Sequence, residues 1–187
     1  VELATHFVAA LGLLVYTLWF ALRLLVPEQQ SIHSPALKKF TVALLLLLFV
    51  QLCYGGFMAG LRAATVAPTW PTINGEWFPA SLFNERGPAN LVNNPFMVHF
   101  IHRGLAYLIV ILIIGWFISI QKTALSPWLH KTKILPLVLV LAQVLLGICT
   151  VLYSASATAL VWFGVLHQFT AMLLLVSLVW VLYLVRK

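Results

Sequence analysis

Five apolar stretches, each long enough to cross a bilayer, decide what this chain can fold into. They run over approximately 4–25, 40–61, 98–119, 134–153 and 159–184. At ~1.5 Å of rise per residue, about 20 helical residues cross ~30 Å of hydrocarbon. Backbone N–H and C=O groups in that layer have no water to bond, so each run must satisfy its own groups as a helix. Composition agrees: the chain is 63% hydrophobic and 8% charged, against roughly a quarter charged in soluble domains. An all-α transmembrane protein of five spans is predicted.

The charges orient it. Arg23, Lys38 and Lys39 flank connection 26–39, Lys122, Lys131 and Lys133 crowd connection 120–133, and Arg186 and Lys187 close the sequence. The opposite side carries Glu2, a long loop with Arg62, Arg86, Glu76 and Glu85, and the uncharged turn 154–158. The positive-inside rule then puts the N-terminus outside and the C-terminus inside. The net charge of +7 is thus topological. No basic patch interleaves with exposed aromatics, so nucleic-acid binding is excluded.

An internal repeat subdivides the spans. The second carries Gln51-x-x-x-Gly55 and the third His102-x-x-x-Ala106; the fourth carries Gln143-x-x-x-Gly147 and the fifth His167-x-x-x-Ala171. The first span, with His6-x-x-x-Ala10, matches the histidine member, and Trp19 follows His6 by the same 13 residues that separate Trp180 from His167. The order is H, Q–H, Q–H. A Q-type helix is therefore expected before the first span, and the sequence, which opens on Val1, reads as part of something longer.

Histidine inside a membrane helix is costly without a partner. One such residue is readily explained by a helix–helix hydrogen bond; three at repeated positions and matching depth point to a ligand site. Two neutral imidazoles on facing helices are the usual way to hold a haem iron axially within a four-helix bundle. His102 and His167, equivalent in adjacent repeats, are the expected pair, with Ala106 and Ala171 leaving room beside the rings. Arg103 or Arg62 is placed to neutralise haem propionates. Gly55, Gly56, Gly60 and Gly147 allow close approach of a backbone or a macrocycle. Zinc fits less well, because no carboxylate or cysteine lies at the histidine level. His99, one turn nearer the surface than His102, reads either as a residue behind the site or as an interfacial histidine facing water. His33 and His130 lie among lysines and are expected to be solvated, and Cys53 and Cys149 read as small buried hydrophobes.

The outer loop 63–97 combines Pro68, Trp70, Pro71, Trp77 and Pro79 with the turn pair Asn74-Gly75, the chemistry of an ordered cap. Trp70, Trp77 and Phe78 serve there as headgroup-level anchors, as a roof over a cofactor, or as both.

Several segments resemble haem A synthases. Gly56-Phe57-Met58-Ala59-Gly60-Leu61-Arg62-Ala63 is similar to the start of that family's outer loop. Thr69-Trp70-Pro71-Thr72-Ile73-Asn74-Gly75-Glu76-Trp77-Phe78-Pro79 resembles its loop signature. Phe100-Ile101-His102-Arg103 and Leu166-His167-Gln168 resemble its histidine helices. The family has two four-helix halves. The resemblance implies that residues 1–25 are the last helix of an N-terminal half and 26–39 an inner-side linker. Residues 40–187 would form the C-terminal antiparallel four-helix bundle.

It further implies that His102 and His167 ligate haem b, and that His6 belongs to the half where haem O is oxidised. His99 stands where the family's catalytic half has a glutamate, so the C-terminal half is not expected to be catalytic. The loop also lacks the cysteine pair of some members. The implied reaction converts the C8 methyl of haem O to a formyl group with water-derived oxygen, passing electrons to an unspecified acceptor. Haem O synthase and cytochrome oxidase assembly factors are the implied partners, with a homo-oligomer possible. The implied location is the bacterial cytoplasmic membrane, ahead of the mitochondrial inner membrane. The residues taken alone also admit a bis-histidine membrane cytochrome b without bond chemistry.

Overall fold

A computed structural model describes residues 2–84 and 87–187; Glu85 and Arg86 of the charge pattern, and Val1, lie outside the described residues. Five of the helices are long and apolar enough to cross a membrane. Helix α1 spans Glu2–Leu25, α2 Pro35–Gly60, α5 Pro95–Ile120, α7 Leu135–Leu152 and α8 Ala157–Leu184. Between them lie short helices: α3 (Ala63–Val66), α4 (Asn90–Asn93) and α6 (Pro127–Thr132). Among the described residues the only β feature is an isolated bridge between Ile73 and Glu76.

The helix ends follow local chemistry rather than hydropathy. Helix α1 stops just before Val26-Pro27, where the proline ring disfavours helical geometry in the preceding residue. Helices α2 and α5 begin ahead of the predicted apolar runs, because Pro35 and Pro95 occupy first-turn positions that need no N–H. Asn94 also caps α5, its Oδ1 accepting from the Phe96 and Met97 amides at 3.0 and 3.4 Å. The fourth predicted span is preceded by α6, capped by Ser126, with a break at Lys133-Ile134 before α7. Pro136 at the start of α7 cannot donate back into α6, which accounts for the break.

The hairpin partners α2–α5 and α7–α8 pack together, α2 also meets α8, and α5 meets α7, so these four helices contact one another in a closed cycle. Helix α1 lies outside that cycle against α2 and α8. Leu13, Tyr16 and Phe20 face outward from α1.

In lipid, helices gain little from hydrophobicity alone, and polar bonds between them count. Two such bonds recur at equivalent places. Trp116 of α5 donates its indole N–H to Thr41 of α2 at 3.1 Å, and Trp180 of α8 donates to Thr132 of α6 at 2.9 Å. Each threonine hydroxyl in turn donates to the carbonyl four residues back, Leu37 or Trp128.

The connections gather at two ends. At one, the Ile32 amide donates to the Leu184 carbonyl, the Lys38 amine to the Arg186 carbonyl, and the Trp128 amide to the Gln30 side chain. At the other, Ser154 donates to the Ala64 carbonyl, joining the turn after α7 to the long loop. This separation agrees with the alternation predicted from charge. His33 and His130 are exposed at the lysine-rich end, as expected.

Candidate functional site

His102 projects from α5 and His167 from α8. Their ring centroids are 6.4 Å apart with planes inclined at 67°. With a metal–nitrogen bond of about 2 Å and the radius of a five-membered ring, two imidazoles sharing one metal have centroids roughly 6 Å apart. The observed separation therefore fits a bis-imidazole pair.

Each ring meets the glutamine of its own repeat. The Gln51 amide nitrogen is 3.4 Å from His102 Nε2, and that of Gln143 is 3.2 Å from His167 Nε2. His167 Nδ1 is 3.0 Å from the Gln143 carbonyl. A carbonyl only accepts, so Nδ1 carries the proton and Nε2 presents its lone pair, the arrangement a metal-ligating imidazole requires. His102 Nδ1 and the side-chain oxygens of Gln51 and Gln143 are buried without hydrogen-bond partners.

The glycine one turn beyond each glutamine makes room for the ring. A Cβ at Gly147 would lie 3.0 Å from His167 Cε1, and one at Gly55 3.6 Å from His102 Cε1. The Gln-x-x-x-Gly pattern thus borders a histidine twice, by an amide and by a missing side chain. Sequence reading had both glutamines as markers of the repeat but missed their contact with the rings.

Arg103 reaches away from the rings into the loop. Its Nη1 donates to the carbonyls of Pro71 (3.1 Å) and Thr72 (3.0 Å), and its Nη2 to that of Thr69 (2.6 Å). One turn on, Tyr107 accepts from the Trp70 indole N–H at 3.2 Å. Thr69 closes the same turn, donating from its hydroxyl to the Thr72 carbonyl and accepting from the Asn74 amide. Asn74 and Gly75 both have positive φ, 53° and 93°, as a tight turn of this kind needs. Asn90 and Asn94 fasten the far end of the loop by bonds to the carbonyls of Ser81 and Leu82. The described residues of the cap are tied together by these side-chain hydrogen bonds. Trp70, Trp77 and Phe78 are 42%, 63% and 78% exposed, and Phe78 packs on Phe100.

Arg62 ends α2 in left-handed backbone geometry, with φ of 49°, and its side chain is exposed. His99 is only 1% exposed and its Nδ1 has no partner. Of its two readings the water-facing one therefore fails, because the loop and α3 close over the start of α5. His6 lies exposed on α1, without a hydrogen bond or ring contact to His102 or His167 among the described residues. The histidines accordingly divide into a pair and a separate residue. No cluster of three or more His, Cys, Asp or Glu able to hold a metal occurs among the described residues. Cys53 and Cys149 are unpaired and half-buried, so they are less enclosed than expected.

The family model of the COX15–CtaA cytochrome oxidase assembly proteins matches residues 1–179. The chain belongs to this family. Its relatives include the haem A synthases of Rhizorhabdus wittichii, 35% identical over 96% of the chain and 50% of the relative, and of Flavobacterium psychrophilum, 32% identical over 100% and 54%. That of Paracoccus denitrificans is 32% identical over 82% of the chain and 42% of the relative. The chain spans about half the length of the curated relatives it matches. No solved structure matches it.

Proposed function

We propose that the chain is part of a haem A synthase in which residues 40–187 form an antiparallel four-helix bundle holding haem b between His102 and His167. Residues 1–25 then complete a preceding half, and 26–39 link the two on the inner side, with the N-terminus outside. The observation that carries this reading is the pair of facing imidazoles, each met by the glutamine of its own repeat. In the whole enzyme the C8 methyl of haem O is oxidised to a formyl group with water-derived oxygen, and His6 serves the half where that occurs. Haem b, when bound, supplies a one-electron couple or simply braces the bundle.

The protein's own residues have separable tasks. Gln143 fixes the His167 tautomer through its carbonyl, and the two glutamine amides hold the Nε2 lone pairs until a metal takes their place. Arg103 fastens the loop above the pair, with its remaining donors available to a propionate, and Arg62 offers a second exposed cation. The proposed setting is the bacterial cytoplasmic membrane. Haem O synthase would deliver the substrate, and oxidase assembly factors would receive the product.

Expression of these 187 residues should yield protein whose pyridine extract contains haem b and whose oxidised spectrum is low-spin. In the full-length protein co-expressed with haem O synthase, His6→Ala should abolish haem A and leave haem b in place. A chain purified without a Soret band would overturn the haem assignment; continued haem A production by His6→Ala would overturn the catalytic one.

A further inference from the structure

A groove at the lysine-rich end stands apart from the histidine pair. It encloses about 650 Å³ and follows one face of α2, with His33, Lys38, Lys39 and Lys187 at its mouth and Val42 and Leu46 further along. Positions 35, 38, 39, 42 and 46 recur at the three- and four-residue spacing that puts side chains on one helical stripe. The stripe changes character along its length. Lys38 and Lys39 sit in the first two turns of the span Pro35–Gly60, where a spanning helix meets the headgroups, while Val42 and Leu46 lie further along it and are 38% and 65% exposed.

Lysines dominate the mouth. Lys38 donates to the Arg186 carbonyl and so completes the C-terminal end of the α8 segment. Lys39 and Lys187 have no hydrogen-bond or ion-pair partner among the described residues. Glu28, the acidic residue of the same connection, pairs with neither. A second hollow of about 600 Å³ lies near α6, lined by Gln121, Thr123, His130, Lys131 and Lys133. There the Lys133 amine is already engaged by the Gln121 side-chain oxygen, and no comparable apolar stripe leads from it along a spanning helix.

We propose that the α2 groove is a binding site for an anionic phospholipid, with its phosphate at Lys39 and Lys187 and an acyl chain along Val42, Ala43 and Leu46. Charge complementarity selects the headgroup, because free cations at a membrane surface attract anionic lipid. The apolar stripe selects a lipid over a soluble phosphate, because it continues into the hydrocarbon layer. The site is independent of what the histidine pair binds.

The test uses the full chain in phosphatidylcholine nanodiscs doped with phosphatidylglycerol, with retained lipid counted by native mass spectrometry. Phosphatidylglycerol should be retained in preference to phosphatidylcholine. Lys39→Gln and Lys187→Gln should each lower that preference roughly fivefold, and the double variant roughly 25-fold. Both side chains are exposed, so the fold should persist; unchanged thermal unfolding of the variant in pure phosphatidylcholine checks this. Inorganic phosphate at millimolar concentration should not displace the lipid. Equal retention of the two lipids, an unchanged preference in the double variant, or displacement by phosphate would each overturn the proposal.

Discussion

The rings of His102 and His167 stand 6.4 Å apart, carried by helices from two different repeats. Neither repeat forms the pair alone, since each helical hairpin contributes one imidazole and the glutamine that meets it. The site is therefore a property of the closed helix cycle. A change that separates the hairpins should weaken it even without touching a histidine.

Both histidines should be needed for a six-coordinate centre. In His102→Ala and in His167→Ala the low-spin spectrum should disappear, with bound haem falling by an order of magnitude or more. Optical and electron paramagnetic resonance spectra of purified variants would show it. Wild-type spectra in both variants would sink the assignment.

Gly147 and Gly55 should differ in tolerance. A methyl at Gly147 would lie 3.0 Å from His167 Cε1, tighter than ordinary contact, whereas at Gly55 the gap to His102 is 3.6 Å. Gly147→Ala should displace the His167 ring and cost about 1–3 kcal/mol of stability; Gly55→Ala should be near neutral. Thermal unfolding in detergent, together with the haem spectrum, distinguishes them. Equal effects would mean that the glycine spacing does not shape the site.

Arg103 should hold the loop. Its guanidinium donates to the carbonyls of Thr69, Pro71 and Thr72, and charge-assisted bonds of this type contribute about 1.5–3 kcal/mol each. Arg103→Ala should raise amide exchange across residues 69–76 by at least about tenfold. Lys should rescue poorly, because an ammonium does not span several carbonyls as a planar guanidinium does. Unchanged exchange would assign the loop's order to its internal turn alone.

Thr41 receives the fully buried Trp116 indole N–H. Thr41→Val keeps the shape but strands that donor, at a cost of about 1–3 kcal/mol. Thr132→Val should cost less, since Trp180 and Thr132 are only half-buried. Chemical denaturation of the two variants in one detergent would test the ranking, which a larger loss at Thr132 would reverse.

Much of this was legible in the residue order. Hydropathy marked five helices, and the Q–H repeat singled out His102 and His167 before any contact was known. Lysine and arginine placement anticipated which connections meet at one end. Helix starts were less legible because Pro35 and Asn94 extend α2 and α5 beyond the apolar runs. Arg103 was read only as a counter-charge, since its three carbonyl partners lie some thirty positions upstream. The threonine–tryptophan bonds went unread: Thr41 precedes Gln51 by ten residues but Thr132 precedes Gln143 by eleven. The break between α6 and α7 hides the match.

The sequence by itself determined the helices and the equivalence of the histidines, because bilayer thickness and backbone hydrogen bonding act locally and recur with the repeat. Only the tertiary structure decided how close the two rings come, that a glutamine meets each ring, that Arg103 ties down the loop, and that His99 is buried. Those outcomes depend on which helices meet and at what depth, and packing between helices distant in sequence sets both.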